Sequence, residues 1–179
     1  QAGVEIEPLE EVLARHDNHI EAYLGQLTAK DETHAFAQLS LAFAQDGMVV
    51  RLEEMVELEQ PVQVAHIFTG GTNAEEVATR NLFILKGGAK AEIIEYAIGV
   101  DEAVYTANST TEIYLAGGAV LKHAFLQEET LSHYYDEQAE VYDGNDLNIR
   151  WRKEYTEGVN RIIAVELMKL DIQDYMALC

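Results

Sequence analysis

The first part of the chain has apolar residues at helical spacing. Pro8 can begin a helix because the N–H that it lacks has no partner in a first turn, and Glu10 and Glu11 follow where the helix dipole favours acidic side chains. The apolar residues fall into two stripes and a further run: Leu9, Val12 and Leu13; Ile20, Tyr23 and Leu24; Phe36, Leu39 and Phe43. Residues 1–45 are therefore predicted to form an N-terminal helical segment, after a short strand or linker at 4–6.

Beyond this segment the spacing changes to the two-residue period of β-strands. Short runs rich in Val, Ile, Leu, Phe and Tyr are separated by polar or glycine turns; they read MVVRL, PVQVAHIF, NLFIL, KAEIIEYAI, TEIYL and AVLKHAFL. In the second run, Val62, Val64 and Phe68 are predicted to share one face. Pro61 suits a strand start or a sheet edge because it cannot donate to a ladder. Residues 46–130 are predicted to form a β core.

A glycine pair recurs in this β region at an interval of 30 residues. LKGGA at 85–89 returns as LAGGA at 115–119, and LEEMVEL at 52–58 has the same outline without glycine. A repeat of this length predicts units that stack on one another, with glycine at sharp corners. We predict a mostly β fold whose core is a parallel β-helix, with equivalent corners at Gly87, Gly88, Gly117 and Gly118. The alternative is two similar hairpins in a β-sandwich.

The last segment, residues 131–179, includes a stretch that returns to helical spacing. From Val159 onward one apolar stripe is separated by polar residues; it consists of Ile162, Ile163, Leu167 and Leu170. Such a helix either caps an open end of the β-helix or docks on another protein, and both alternatives remain open. These four residues are our candidates for partner binding.

Charge and composition exclude several classes of partner. The chain carries 32 acidic and 12 basic residues, a formal net charge of -20. Such a chain repels phosphate backbones and anionic lipids, so we expect neither a nucleic-acid nor a membrane partner. No run approaches the roughly 20 apolar residues that span a bilayer. The single cysteine, Cys179, excludes an internal disulfide and fits a reducing compartment, so a cytoplasmic location is predicted.

Common catalytic signatures are absent from the sequence. It contains neither the phosphate-binding pattern G-x-x-x-x-G-K-[ST] nor the nucleophile pattern G-x-S-x-G, so we do not expect an enzyme. His16 and His19 are three residues apart and His34 follows, but nothing fixes a further ligand, so no metal site is predicted. His123 lies between apolar neighbours and is interpreted as a hydrogen-bonded residue of the coil.

Paired carboxylates matter because parallel β-helices also include polysaccharide-cleaving enzymes. Glu92 and Glu95 are predicted to lie on opposite faces of one strand, because an odd spacing turns the side chain over. We interpret both as solvated exterior side chains. The alternative function is a β-helical carbohydrate-active enzyme or sugar-binding module, which needs a groove with clustered carboxylates and aromatic residues.

Several segments together resemble, in order and spacing, the proteins of the SufB/SufD family. LAFAQDGMVV at 41–50 resembles the entry into their β-helix. Four further segments resemble its core: RNLFIL at 80–85, AEIIEY at 91–96, TEIYL at 111–115 and LKHAFLQEE at 121–129. The likeness covers about 4–130, is closest to SufD and fades afterwards, so a shortened or partial member is predicted.

The resemblance implies a right-handed parallel β-helix flanked by helical segments. It also implies a non-catalytic scaffold subunit of an iron–sulfur cluster assembly complex, acting with a SufB-like subunit and a SufC-like ABC ATPase; a homo-oligomer is a second possibility. Clusters are usually held by about four cysteine thiolates, and this chain has only Cys179. We therefore expect no cofactor bound by the chain alone, and any iron–sulfur cluster to be shared with a partner.

Overall fold

The structure is a computed structural model in which three helices and ten strands are described. The described residues are 1–27, 35–44, 46–69, 75–100, 105–128, 134–141, 147–155 and 161–169. The helices are α1 (Leu9–Ala14), α2 (Asn18–Glu21) and α3 (Ala35–Phe43). The strands are β1 (Val4–Pro8), β2 (Met48–Leu52), β3 (Val62–Thr69), β4 (Glu75–Leu85), β5 (Lys90–Val100), β6 (Tyr105–Leu115), β7 (Val120–Glu128), β8 (Tyr134–Val141), β9 (Leu147–Tyr155) and β10 (Arg161–Lys169).

Consecutive strands from β2 to β8 alternate between two sheets. Sheet A has the order β1-β2-β4-β6-β8, and sheet B has the order β3-β5-β7-β10-β9. The pairings among β2, β4, β6 and β8 are parallel, as are those among β3, β5 and β7. In sheet A, Leu52, Leu85 and Leu115 are direct neighbours at the ends of their strands. The prediction of a mostly β core with parallel sheets is confirmed.

The glycine pairs occupy equivalent corners, as the repeat predicts. Gly88 and Gly118 both have positive φ, 67° and 71°, and the Gly88 N–H donates to the Gly117 carbonyl at 3.0 Å. Each pair connects a strand of sheet A to a strand of sheet B, so the alternative of two antiparallel hairpins is wrong. At the preceding corner, Met55 takes the same conformation with φ 60°, and its N–H donates to the Gly87 carbonyl.

Apolar side chains pack in two layers, one on each face of sheet A. The interior layer lies between the sheets and includes Val50, Leu52, Val64, Phe83, Leu85, Ile93, Ile113, Leu115 and Leu121. The outer layer lies under the N-terminal helices and includes Leu9, Val12, Ile20, Val49, Leu82, Ile84 and Tyr114. β4 and β6 are therefore buried on both faces, which is why their sequences lack the alternation of a strand with one solvated face.

The prediction of a C-terminal helix is wrong at β10. Residues Arg161–Lys169 form a strand that pairs antiparallel with β7 on one side and with β9 on the other. The apolar stripe depended on a helical period, which a strand does not have; it comprised Ile162, Ile163 and Leu167, with Leu170 outside the described residues. Whether these residues bind a partner stays a prediction.

The physical reason for this error is pairing over a long sequence distance. The segment contains the β-branched residues Ile162, Ile163 and Val165, which favour strands, at a length that suits either structure. The hydrogen-bonding edge of β7 then decides, since β10 matches it from Arg161 opposite Gln127 to Met168 opposite Val120.

The N-terminal segment is helical as predicted, although it also provides β1, which pairs antiparallel with β2. The division into segments 1–45, 46–130 and 131–179 stays a prediction. Within the described ranges, no helix has the length and apolar character to cross a bilayer.

Candidate functional site

A carboxylate lies inside the coil, on the inward face of β5. Ile93, Glu95 and Ala97 alternate with outward residues and are buried, and Glu95 is only 1% exposed. Glu92, three residues earlier, is exposed. The prediction that the two glutamates lie on opposite faces is confirmed. The interpretation of Glu95 as an exterior side chain is wrong, because residues of the same strand parity as Ile93 face the interior.

Two histidines reach Glu95 from the neighbouring strands of sheet B. In the register, Glu95 lies between Val64 of β3 and Phe125 of β7. His66 follows Val64 by two residues and His123 precedes Phe125 by two, so both share the inward face. His123 Nε2 lies 2.6 Å from Glu95 Oε1, and His66 Nε2 lies 3.4 Å from Oε2.

The opposite sheet supplies two more polar groups. Asn81 of β4 and Thr111 of β6 are direct partners in sheet A. Asn81 Nδ2 donates to Glu95 Oε2 at 2.6 Å, and the Thr111 hydroxyl donates to Oε1 at 3.1 Å. Asn81 Oδ1 accepts the Met48 N–H at 2.9 Å, which fixes the orientation of the amide. We call Glu95, His66, His123, Asn81 and Thr111 the interior cluster.

The donors around the carboxylate determine where the imidazole protons lie. Asn81 Nδ2 is also 3.0 Å from His66 Nε2, so its two hydrogens serve the carboxylate and this ring nitrogen. His66 Nε2 is then an acceptor and its proton lies on Nδ1. His123 Nε2 carries a hydrogen, because its neighbour Glu95 Oε1 can only accept.

The interior cluster keeps Glu95 ionised. Burial raises the pKa of this carboxyl, but the contacts with His123 and then His66 lower it further, to about 2. All five side chains are buried, and Phe83 packs edge-on against the His123 ring at 5.8 Å. A buried charge is tolerated when it is paired and hydrogen-bonded. The cluster therefore holds a fixed negative charge within an otherwise apolar interior.

A second polar cluster joins the N-terminal helices to sheet A. Arg80 Nε donates to Glu112 Oε1 at 2.7 Å, with both side chains fully buried. Arg80 also donates to the Ala37 carbonyl of α3, and Glu112 accepts the Gly25 N–H that follows α2. The Tyr114 hydroxyl donates to the Tyr23 carbonyl at 2.6 Å. We call Arg80 and Glu112 the clamp pair, because each binds both the sheet and the helical cover.

Comparisons with known proteins agree with this architecture. Residues 1–64 match the family described as SufBD protein N-terminal region. "Protein ABCI7, chloroplastic" from Arabidopsis thaliana is 29% identical to this chain over 122 residues. The chain belongs to the SufB/SufD family.

The match covers 64% of this chain and 25% of the Arabidopsis protein, so the chain spans about a quarter of that SufB/SufD-type relative. The predicted resemblance to the SufB/SufD family is confirmed. The closer likeness to SufD stays a prediction.

The other candidate residues are separated in the structure. His16 lies just beyond α1 and His19 lies in α2, while His34 falls outside the described residues. Among the described residues, no group of three or more His, Cys, Asp and Glu side chains is arranged to hold a metal ion. The interpretation of His123 as a hydrogen-bonded coil residue is confirmed.

The sequence contains a signal for the interior cluster that its interpretation missed. In VQVAHIFT, His66 has the same parity as Val64 and Phe68, so it faces inward with them. The 30-residue repeat places such positions on stacked coils. Three titratable residues on inward positions of three successive coils therefore predict a buried cluster; they are His66, Glu95 and His123.

Proposed function

We propose that this chain is a non-catalytic scaffold subunit of an iron–sulfur cluster assembly complex, acting with a SufB-like subunit and a SufC-like ABC ATPase. Membership of the SufB/SufD family is the observation that carries the proposal, and it supports a role in iron–sulfur cluster assembly. The clamp pair gives this role a physical basis, because it holds the matched N-terminal region rigidly on the sheets.

The state of the interior carboxylate supports a structural role over a catalytic one. Glu95 accepts hydrogen bonds from three side chains and is shielded from water, whereas an acid or base in catalysis must reach a substrate. Glu92 is on the opposite face, so these two carboxylates do not converge on a groove as the carbohydrate-active alternative requires. We infer that the chain is not an enzyme.

We also propose that the two parallel sheets are the walls of a right-handed parallel β-helix. Connections between parallel strands are right-handed in about 98% of cases, because the strand twist favours that path. The in-register stacking of Leu52, Leu85 and Leu115 supports regular coils. An experimental structure of the chain gives the hand directly, and a left-handed path would contradict the proposal.

The iron–sulfur cluster is cargo of the complex in this proposal. Cys179 is the single thiol of the chain, so a cluster with the usual thiolate ligands must be shared with a cysteine-bearing partner. The cytoplasmic location stays a prediction. The name of the Arabidopsis relative places that protein in the chloroplast.

Co-expression with SufB-like and SufC-like proteins tests the proposed function. We expect a stable complex in size-exclusion chromatography with light scattering. Ile163→Asp and Leu167→Asp test the predicted partner-binding residues, and Glu92→Lys, a charge change at an exposed site, is their control. A folded chain that elutes alone in the presence of both partners would contradict the scaffold proposal.

A further inference from the structure

The two sheets differ at the edge where the coil begins. In sheet A, β1 covers β2 by antiparallel pairing from Val4 opposite Leu52 to Pro8 opposite Met48. In sheet B, the first strand is β3, and β5 is its only strand partner within the described residues. One edge of the coil is therefore covered by a strand of the chain, and the other presents a free backbone edge of eight residues.

The phase of the ladder shows which backbone groups face this free edge. The Lys90 N–H donates to the Val56 carbonyl, and Lys90 O accepts the Leu58 N–H, so even-numbered residues of this strand face β5. The register of β3, with Gln63 opposite Ile94, keeps the same parity. The N–H and C=O groups directed away from β5 are those of Gln63, Ala65, Ile67 and Thr69.

The side chains of β3 lack the usual protection of an edge strand. Proteins commonly place charged residues on such edges to prevent pairing with other chains. β1 carries Glu5 and Glu7, whereas β3 reads VQVAHIFT and has no Asp, Glu, Lys or Arg, in a chain with 32 acidic residues. Ile67 is 60% exposed on its outward face. The free edge is thus the neutral part of a strongly acidic molecule.

We propose that the β3 edge binds an extended segment of another protein, which adds to sheet B as an antiparallel strand. The segment is uncharged where it pairs with β3 and basic at its C-terminal end. Antiparallel addition is what β1 already makes on sheet A, and it brings that end beside Glu57 and Glu59, which are exposed and precede β3. This inference rests on the sheet edge and is independent of the proposed iron–sulfur function.

A second copy of the chain is a poorer occupant of this edge. Each copy carries a formal net charge of -20, so two copies repel each other at ordinary salt concentration. A basic segment experiences attraction from the same field. Main-chain hydrogen bonds then supply affinity, and alternate side chains beside Ile67 supply specificity.

A synthetic peptide with alternating Val and Thr over the length of β3, followed by two lysines, is the probe. We expect one peptide to bind per chain in fluorescence anisotropy. Ala65→Pro removes a free-edge N–H without removing a bond to β5, so it should weaken binding by about tenfold or more. Ala65→Ser keeps the N–H and is the matched control, with less than about a twofold effect. Moving the lysines to the N-terminal end of the peptide should also weaken binding.

A peptide with N-methyl groups on alternate amides repeats the test on the unaltered chain, in case Ala65→Pro unfolds the protein. Its one-edge hydrogen bonding is blocked, so loss of binding is expected. Equal binding of the methylated peptide, or no binding of any peptide by folded protein, would overturn the proposal. A dimer of the chain that Ala65→Pro dissociates would show that a second copy is the occupant instead.

Discussion

Glu95 illustrates how one side chain connects several elements. Its carboxylate accepts from residues on β4, β6 and β7, and His66 of β3 packs beside it. A carboxylate without these donors would be far too costly to bury. A slip of any of these strands by one residue would turn a donor to the other face of its sheet. Glu95 therefore fixes the register of the coil as well as carrying a charge.

Glu95→Gln tests this function of the interior cluster. The folded-state pKa of about 2 lies below the ordinary value of 4.5, so the charge stabilises the fold fully above about pH 4.5 and this contribution is lost as the pH falls toward 2. We expect the variant to be less stable by about 3 kcal/mol at pH 7, in urea unfolding. The difference should shrink below pH 4.5. The matched control is Glu92→Gln on the exposed face; a similar loss there would contradict the assignment.

Met55→Gly tests the corner that lacks glycine. Met55 has φ 60°, a conformation that costs a non-glycine residue about 1–2 kcal/mol, and its side chain is 80% exposed. Glycine relieves this strain but makes the unfolded chain more flexible, so we expect a net stabilisation of about 0.5–1 kcal/mol in urea unfolding. The neighbouring Glu54→Gly, without a positive φ to relieve, should instead destabilise. Destabilisation by both variants would show that Met55 is not strained.

The sequence could not assign Glu95 correctly by local reasoning. Its partners His66 and His123 are 29 and 28 residues away, and a lone glutamate in an apolar run is usually solvated. The 30-residue repeat contained the register that joins them. The burial of polar side chains was thus predictable only after strand parity and the repeat were combined.

At the scale of elements, the helical cover is joined to sheet A by the clamp pair beneath α3. Arg80 and Glu112 are both completely buried, and their remaining hydrogen-bonding groups bind the helical segment through the Ala37 carbonyl and the Gly25 N–H. Breaking such a pair costs more than replacing both residues, because one unpaired charge stays in the interior.

A double-mutant cycle on the clamp pair tests this element. We expect Glu112→Gln to destabilise the protein by about 3 kcal/mol, because Arg80 keeps its buried charge without a counterion. Arg80→Met combined with Glu112→Gln should be less destabilising than the sum of the two single changes, in urea unfolding at pH 7. Arg15→Met, at the exposed pair with Glu7, is the control and should cost less than about 1 kcal/mol. Strict additivity of Arg80 and Glu112 would contradict their coupling.

The elements themselves were predictable where a local pattern decides them. The six apolar runs from 48 to 128 all lie in strands, because hydrophobic alternation and turn residues specify them locally. β10 was not predictable in this way. Its nine residues suit a helix or a strand, and the deciding interaction is with β7, more than 30 positions earlier in the chain.

At the scale of the whole molecule, the repeat and the charge have different effects. The repeat stacks strands into two parallel sheets, and each added coil buries the edge of the one before. The net charge of -20 opposes the approach of a second copy and favours basic partners. Together they describe a stable platform whose neutral β3 edge is the part best suited to main-chain pairing.

The composition of the whole chain also predicts how it responds to iron and sulfide. Cluster ligation usually needs about four thiolates, and the chain has one, Cys179. Within the described residues, the buried histidines nearest to a carboxylate, His66 and His123, are already held by the interior cluster. We therefore expect anaerobic reconstitution of the isolated chain to give no stoichiometric charge-transfer absorption.

Cys179→Ser is the matched control for this experiment, and its spectrum should be the same as that of the unaltered chain. Adding a cysteine-bearing SufB-like partner should then produce the absorption, because that partner supplies the missing thiolates. An absorption band in the isolated monomer, stoichiometric with protein and lost in Cys179→Ser, would contradict the prediction. It would mean that this thiol, with ligands other than cysteine from the same chain, suffices to hold a cluster.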